Sequence, residues 1–232
     1  PPLPGPPGQS RLAALAEGRQ HRPLGPGQAR ETGFSAETAL VGWKLNLLAR
    51  RAQPGDDFDG LARALGFEAP ARETVSFERA LHPSPGVALA HWNDHLLLLS
   101  SPLVEPLLSS PSPSASARAT LEALGPQPLR VATLHSVTNL YGYALFENGK
   151  LIRGRTGAAD DGLIWQQGSP FEWEQPEEDE FDGEQAVFHF LTPALGWSLD
   201  TASDQLYSLQ LKRYHAAGLV AKLKRILGLG TK

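Results

Sequence analysis

Leu140-Tyr-Gly-Tyr-Ala-Leu-Phe-Glu147, then Asn148-Gly149, then Lys150-Leu-Ile-Arg-Gly-Arg-Thr156 is the stretch on which the fold class turns. Two runs rich in β-forming residues flank an Asn-Gly pair, which accepts the positive φ angles of a type I′ turn, so the segment predicts a two-residue β-hairpin. A tight turn also fixes a register. Glu147 should oppose Lys150, Phe146 oppose Leu151, Leu145 oppose Ile152, Ala144 oppose Arg153, Tyr143 oppose Gly154 and Gly142 oppose Arg155. Residues two apart on a strand share a face, so Arg153 and Arg155 are expected together, over the small residues Ala144 and Gly142.

Working outward, Leu129 to Val137 predicts a strand, as does Trp165 to Gln167 on the other side. Val87 to Trp92, Asn93-Asp94 and His95 to Leu99 predict a second hairpin. Val41 to Leu48 and Thr74 to Phe77 predict further strands. Asp57 caps a helix with Phe58, Leu61, Ala62 and Leu65 on one face and Gly66 as its stop. Ser109 to Ala117 predicts a loop, with Ser116 capping a helix that carries Leu121 and Leu124 and closes at Gly125-Pro126. Asp182 and Gln185 form a capping pair for a helix with Val187, Phe190 and Leu191, expected to end by Pro193. A final helical region is expected from Asp204 to Leu227, broken at Gly218. Hairpins joined by tight turns argue for an α+β fold of antiparallel sheets covered by short helices, not for parallel βαβ repetition. The order strand, connector, hairpin recurs, which admits two similar halves, 41–108 and 117–215, within one domain over 41–232.

The chain has 232 residues, enough for a core without staples. It contains no Cys, which excludes disulfides, thiolate metal sites and cysteine nucleophiles, and its net charge of -4 offers no overall attraction to nucleic acid. No apolar window is long enough to span a bilayer, and no secretory signal pattern opens the sequence. The expected compartment is the cytoplasm. Residues 1–30 hold seven Pro and five Gly, so residues 1–40 read as a Pro/Gly-rich disordered leader, either part of the product or an extension upstream of one that begins near Val41.

His135-Ser-Val-Thr-Asn139-Leu-Tyr-Gly142-Tyr-Ala, continued by Phe146-Glu-Asn-Gly149-Lys-Leu-Ile-Arg153, resembles an uncharacterised family of bacterial proteins. The likeness runs on through Arg155-Thr-Gly157, Asp160-Asp161-Gly162, Gly168, Pro170 and Glu172, and earlier through Phe58 to Phe67. It implies a small α+β protein and no particular activity.

Several groups are candidates for chemistry. Glu172 to Glu184 contains eight carboxylates and no base, which leaves the remainder of the chain at +4. That stretch reads either as a solvated approach to a helix N-terminus or as a docking surface for a basic protein partner, with Trp173 and Phe181 as apolar anchors; no calcium-loop pattern supports a hard cation. Arg153 and Arg155 either line a shallow basic groove for a carboxylate or phosphate or pair internally with Asp160, Asp161 or the acidic stretch. In the groove case Asp160, Asp161 or Glu172 would serve as general base of a small enzyme acting on an anionic substrate. His91 and His95, with Asp94, lack further ligands in reach, so no metal is assigned and no cofactor is called for. His135 and Ser136, as strand neighbours, point to opposite faces and form no dyad; His135 is expected buried and hydrogen-bonded. No nucleophile elbow, phosphate loop or dinucleotide fingerprint occurs. Leu219, Val220, Leu223, Ile226 and Leu227 make an apolar stripe beside Lys222, Lys224 and Arg225, suited to packing on its own domain, to a partner groove or to peripheral contact with a membrane. The reading as a whole favours a cytoplasmic protein-interaction module of immunity or regulatory type, its oligomeric state undetermined.

Overall fold

The computed structural model describes residues 44–158, 161–174, 182–196, 198–199 and 204–218. The expected leader at 1–40, Asp160, Phe181 and the Leu219–Leu227 stripe lie outside the described residues. Among the described residues nine strands form one antiparallel sheet: β1 (Lys44–Arg51), β2 (Glu73–Ser76), β3 (Val87–Trp92), β4 (His95–Leu99), β5 (Leu129–His135), β6 (Leu140–Glu147), β7 (Lys150–Ala158), β8 (Gly162–Gln167) and β9 (Gln210–Tyr214). Their order across the sheet is β2-β9-β3-β4-β1-β5-β6-β7-β8. The α-helices among the described residues are α1 (Phe58–Ala64), α2 (Phe77–Ala80), α3 (Ser101–Leu108), α4 (Ala115–Leu124), α5 (Gly183–Leu195) and α6 (Asp204–Ser208). This is the expected α+β architecture.

Both faces of the sheet are covered. Leu45, Leu47, Leu97 and Ala132 pack with Val187, Phe190 and Leu191 of α5 and with Phe77 and Leu206 of α2 and α6. On the opposite face Leu48, Leu96, Leu98 and Val131 meet Leu103 and Val104 of α3, Leu121 of α4 and Ala62 of α1. Burial on two sides explains why β1 and β4 read as continuous apolar runs instead of alternating ones. Each wholly buried Leu contributes about 1.5–3 kcal/mol.

Local signals hold where capping chemistry is strong. Asp57 accepts the amides of Asp59 and Gly60, and Asp182 those of Glu184 and Gln185. Several expectations are corrected. Ser114, not Ser116, caps α4, accepting Ala117 N–H at 3.2 Å; Ser116 sits inside the helix, its hydroxyl 2.9 Å from that of Ser114. Segment 101–108, to which the sequence alone assigns no element, forms α3; Pro102 falls in the first turn, where no N–H is needed, and Pro106 lies inside the helix. α5 continues past Pro193 to Leu195 and closes at Gly196 with φ 88. Only two helical residues follow that proline, and Thr192 donates its hydroxyl to the Phe188 carbonyl at 2.9 Å. Phe77 begins α2 instead of ending β2, and β5 stops at His135, where Ser136–Thr138 turn in a 3₁₀ coil. The expected long helix from Asp204 is α6 followed by a strand: β9 inserts between β2 and β3 and pairs with both, so two neighbours override a helix-compatible local sequence.

The hairpins at Asn93-Asp94 and Asn148-Gly149 are both present, with Trp92 opposite His95 and Glu147 opposite Lys150. The second departs from the expected register after two pairs. Phe146 opposes Leu151, but Leu145 opposes Arg153, Ala144 opposes Gly154, Tyr143 opposes Arg155 and Gly142 opposes Thr156. Ile152 is an extra residue in β7, a β-bulge, and it moves Arg153 and Arg155 onto the opposite face from the one expected.

Candidate functional site

Past the bulge, Arg153 lies beside Leu145 on the α5 side of the sheet. It is 2% exposed, and Glu174, which ends a turn over Phe171–Glu174, is 4% exposed. That turn is closed twice: Glu174 N–H donates to the Phe171 carbonyl at 2.9 Å, and Phe171 N–H donates to Glu174 Oε1 at 3.2 Å. Arg153 Nε–H is shared between Oε1 and Oε2 of Glu174 at 3.0 and 3.1 Å. Nη1 donates to the carbonyls of Gln167 and Gly168 at 3.3 and 3.0 Å, and Nη2 to Glu174 Oε2 and Gln166 Oε1. A guanidinium has five N–H donors, and all five are filled from within the protein. Of the readings left open by the sequence, the internal pair with the acidic stretch is the one Arg153 adopts, and the basic groove is lost because the bulge turned its floor away.

Electrostatics follow from that enclosure. Burial alone would lower the Arg153 pKa, but the hydrogen bonds and charge of Glu174 outweigh it and raise it. Burial, then the Glu174 carboxylate, pushes the Tyr143 phenol well above its ordinary value. Trp173 is half-buried, stacked on Phe171 at 5.4 Å and on His189 of α5 at 6.0 Å, with Tyr143 at 5.6 Å. It therefore secures the Glu174 turn to the core and is not a projecting anchor. Arg155 is half-buried opposite Tyr143 and Gln166. Asp161 and Glu172 are exposed.

The acidic stretch is thus divided by task. Among its described members, Glu174 is the buried partner of Arg153, Asp182 caps α5, and Glu184 accepts the Ser136 hydroxyl at 2.8 Å. Glu172 faces solvent. Ser136 is engaged away from His135, whose Nε2 lies 3.4 Å from Asn46 Nδ2; burial, then the charge of Lys44, lowers the His135 pKa against an opposing pull from Glu105. His91 opposes Leu96 while His95 opposes Trp92, so the two imidazoles point to opposite faces. Among the described residues no group of three possible metal ligands occurs.

Two features escaped the sequence reading. Arg50, 5% exposed, grips Asp56 with Nη1 and Nη2 at 3.2 and 2.6 Å, and Gln53 N–H adds a bond at 2.8 Å. Burial would raise the Asp56 pKa, but these bonds and the charges of Arg50 and His91 bring it below the usual 3.8. The pair lines an open cleft of about 360 Å³ with Asp57, Gly60, Leu61 and Pro126. The signal was a charged residue placed inward by the count along β1. The second feature is the first half of β8: the strand expected at Trp165 to Gln167 begins at Gly162 and forms a sheet edge among the described residues, with Leu163 and Ile164 45% and 50% exposed; its sequence, Gly-Leu-Ile-Trp-Gln-Gln, carries no charge.

The model of a protein family of unknown function, DUF6928, matches residues 48–187. No curated protein and no solved structure matches the chain.

Proposed function

The chain belongs to the DUF6928 family, a family of unknown function, and from that premise we propose that it works as a protein-interaction module for a basic partner. The observation that carries this reading is the division of charge at the β7–β8 end of the sheet. There Arg153 is enclosed and neutralised by Glu174, whereas Asp161 and Glu172 stand in solvent. The outward field at that end is set by the acids, and a basic surface would be steered to it. Arg153 has no donor left for a substrate anion, which speaks against the small enzyme anchored by Arg153 and Arg155. The proposal includes a bacterial cytoplasmic setting and an immunity or regulatory role; no described helix is long and apolar enough to cross a membrane.

The test is capture of partners by the full chain at low and at high salt, beside an Asp161→Lys, Glu172→Lys variant. A charge-led complex weakens as ionic strength shortens the Debye length to about 3 Å near 1 M, and the variant should lose it at low salt. Capture that ignores both changes would overturn the reading.

A further inference from the structure

We infer that the outer edge of β8 receives an extended segment of the partner as a tenth strand, an apolar stretch bracketed by basic residues. This deepens the interaction reading above and rests on it.

Every sheet has two edges, and the two here are handled differently. At one edge β2 has four residues; its Glu73 is engaged by Arg213 at 3.4 Å, and the chain turns at once into α2, whose cap is Ser76. That edge is short and charged, the usual protection against a foreign strand. β8 has six residues and neither Pro nor charge. Among the described residues it pairs on one side only, with β7, so backbone N–H and C=O groups remain on the other. A second bulge lies within it. Thr156 opposes Trp165 and Gly157 opposes Leu163, which leaves Ile164 as the extra residue and half-exposed. Trp165, by contrast, ties the strand to the body of the protein: its Nε1–H donates to the Leu108 carbonyl at 2.7 Å. The edge is open yet anchored.

The occupant follows from this chemistry. Unpaired main-chain groups select an extended backbone, and exposed Leu163 and Ile164 favour apolar or β-branched side chains opposite them. Asp161 stands exposed just before β8. Glu172 stands exposed beyond its other end, two residues before the Glu174 that holds Arg153 against the Gln167 and Gly168 carbonyls. Acids at both ends of an uncharged strand call for a base at both ends of the incoming one.

The experiment pans the full chain against a display library of random heptapeptides and then measures the selected peptides as synthetic ligands. Expected sequences alternate β-branched or aromatic residues, exclude Pro from the middle and carry Lys or Arg at each end. Binding should protect from hydrogen exchange those amides of residues 163–167 that point away from β7, and Ile164→Lys, a change at a half-exposed position, should weaken it by about tenfold or more. Basic peptides that leave those amides unprotected and ignore Ile164→Lys would overturn strand addition and leave the interaction reading in place. A selection that enriches nothing, or enriches peptides without basic ends, overturns both.

Discussion

Among the described residues, Arg50 and Arg153 are buried against carboxylates, and they reach that state by different routes. Arg50 lies on β1, which runs in unbroken register against β4 and β5, opposite Leu96 and Leu129; its partner Asp56 is six residues on, in the loop that leaves the strand. Arg153 lies on β7 beyond a bulge, and its partner Glu174 is 21 residues away, past β8. Both are charge met by charge, but Arg153 has every donor filled, whereas Arg50 adds one bond to the Arg51 carbonyl and leaves its buried Nε–H without a hydrogen-bond partner. For Arg50 the face can be counted along the strand. For Arg153 one unpaired residue reverses the count, and the conclusion changes from an exposed ligand-holding group to an enclosed structural one.

The sharpest way to break this comparison is Arg153→Ala. It leaves the Glu174 carboxylate buried without its counter-charge, and removal of one partner from such a pair costs about 3–5 kcal/mol. Urea unfolding at neutral pH should register that loss. The double change Arg153→Met, Glu174→Leu removes both charges and should recover most of it, since an apolar pair of similar volume is tolerated where a lone charge is not. A single variant as stable as the wild type would mean that Arg153 is not enclosed, and would restore the surface groove.

Asp56→Asn probes the other pair, with a smaller expected loss of about 2 kcal/mol at neutral pH, the worth of hydrogen bonds to a charged group. The sign of its pH dependence is fixed. The folded-state pKa lies below 3.8, so the unfolded chain binds the proton more readily. The stabilisation is complete above the unfolded value and is lost as pH falls through the folded one. Stability of the wild type and of Asp56→Asn, measured from pH 7 down to about pH 3, should therefore converge in acid. A gap that stays constant would show that the carboxylate's charge contributes nothing.

How far the sequence could be read follows from what each signal depends on. The Asp57 and Asp182 caps and both hairpin turns rest on contacts within a few residues, and they stand where they were expected, whereas β1, expected over Val41 to Leu48, runs on to Arg51. β9 was invisible because its strand state is imposed by β2 and β3 from opposite sides. α3 was hidden by two prolines that look like breakers: Pro102 is harmless in the first turn, while Pro106 is tolerated inside the helix. The site was harder still, since Arg153 needed both the bulge and a partner 21 residues on. Only the doublet Leu151-Ile152, two apolar neighbours in a strand that otherwise alternates, marks where the count restarts.

That doublet supplies the mildest test. Deleting Ile152 removes the unpaired residue and leaves Leu151 opposite Phe146 and Arg153 opposite Leu145, as they are now. The strand beyond keeps its faces, Arg153 keeps Glu174, and the loss is confined to one side chain already 43% exposed and to the local bend. The bend has its own partner: Gly168, at φ 84, passes so near the Ile152 carbonyl that a Cβ there would collide with it, so some readjustment is needed. The expected change is about 1 kcal/mol, with an unaltered urea m-value. Had the hairpin followed the register written by its turn, the same deletion would move every later residue of β7 to the other face, and Arg153 would leave Glu174. A deletion as costly as Arg153→Ala would therefore show that the bulge does not set the register. A mild one would show that a single surplus residue decides which side of the sheet this arginine occupies.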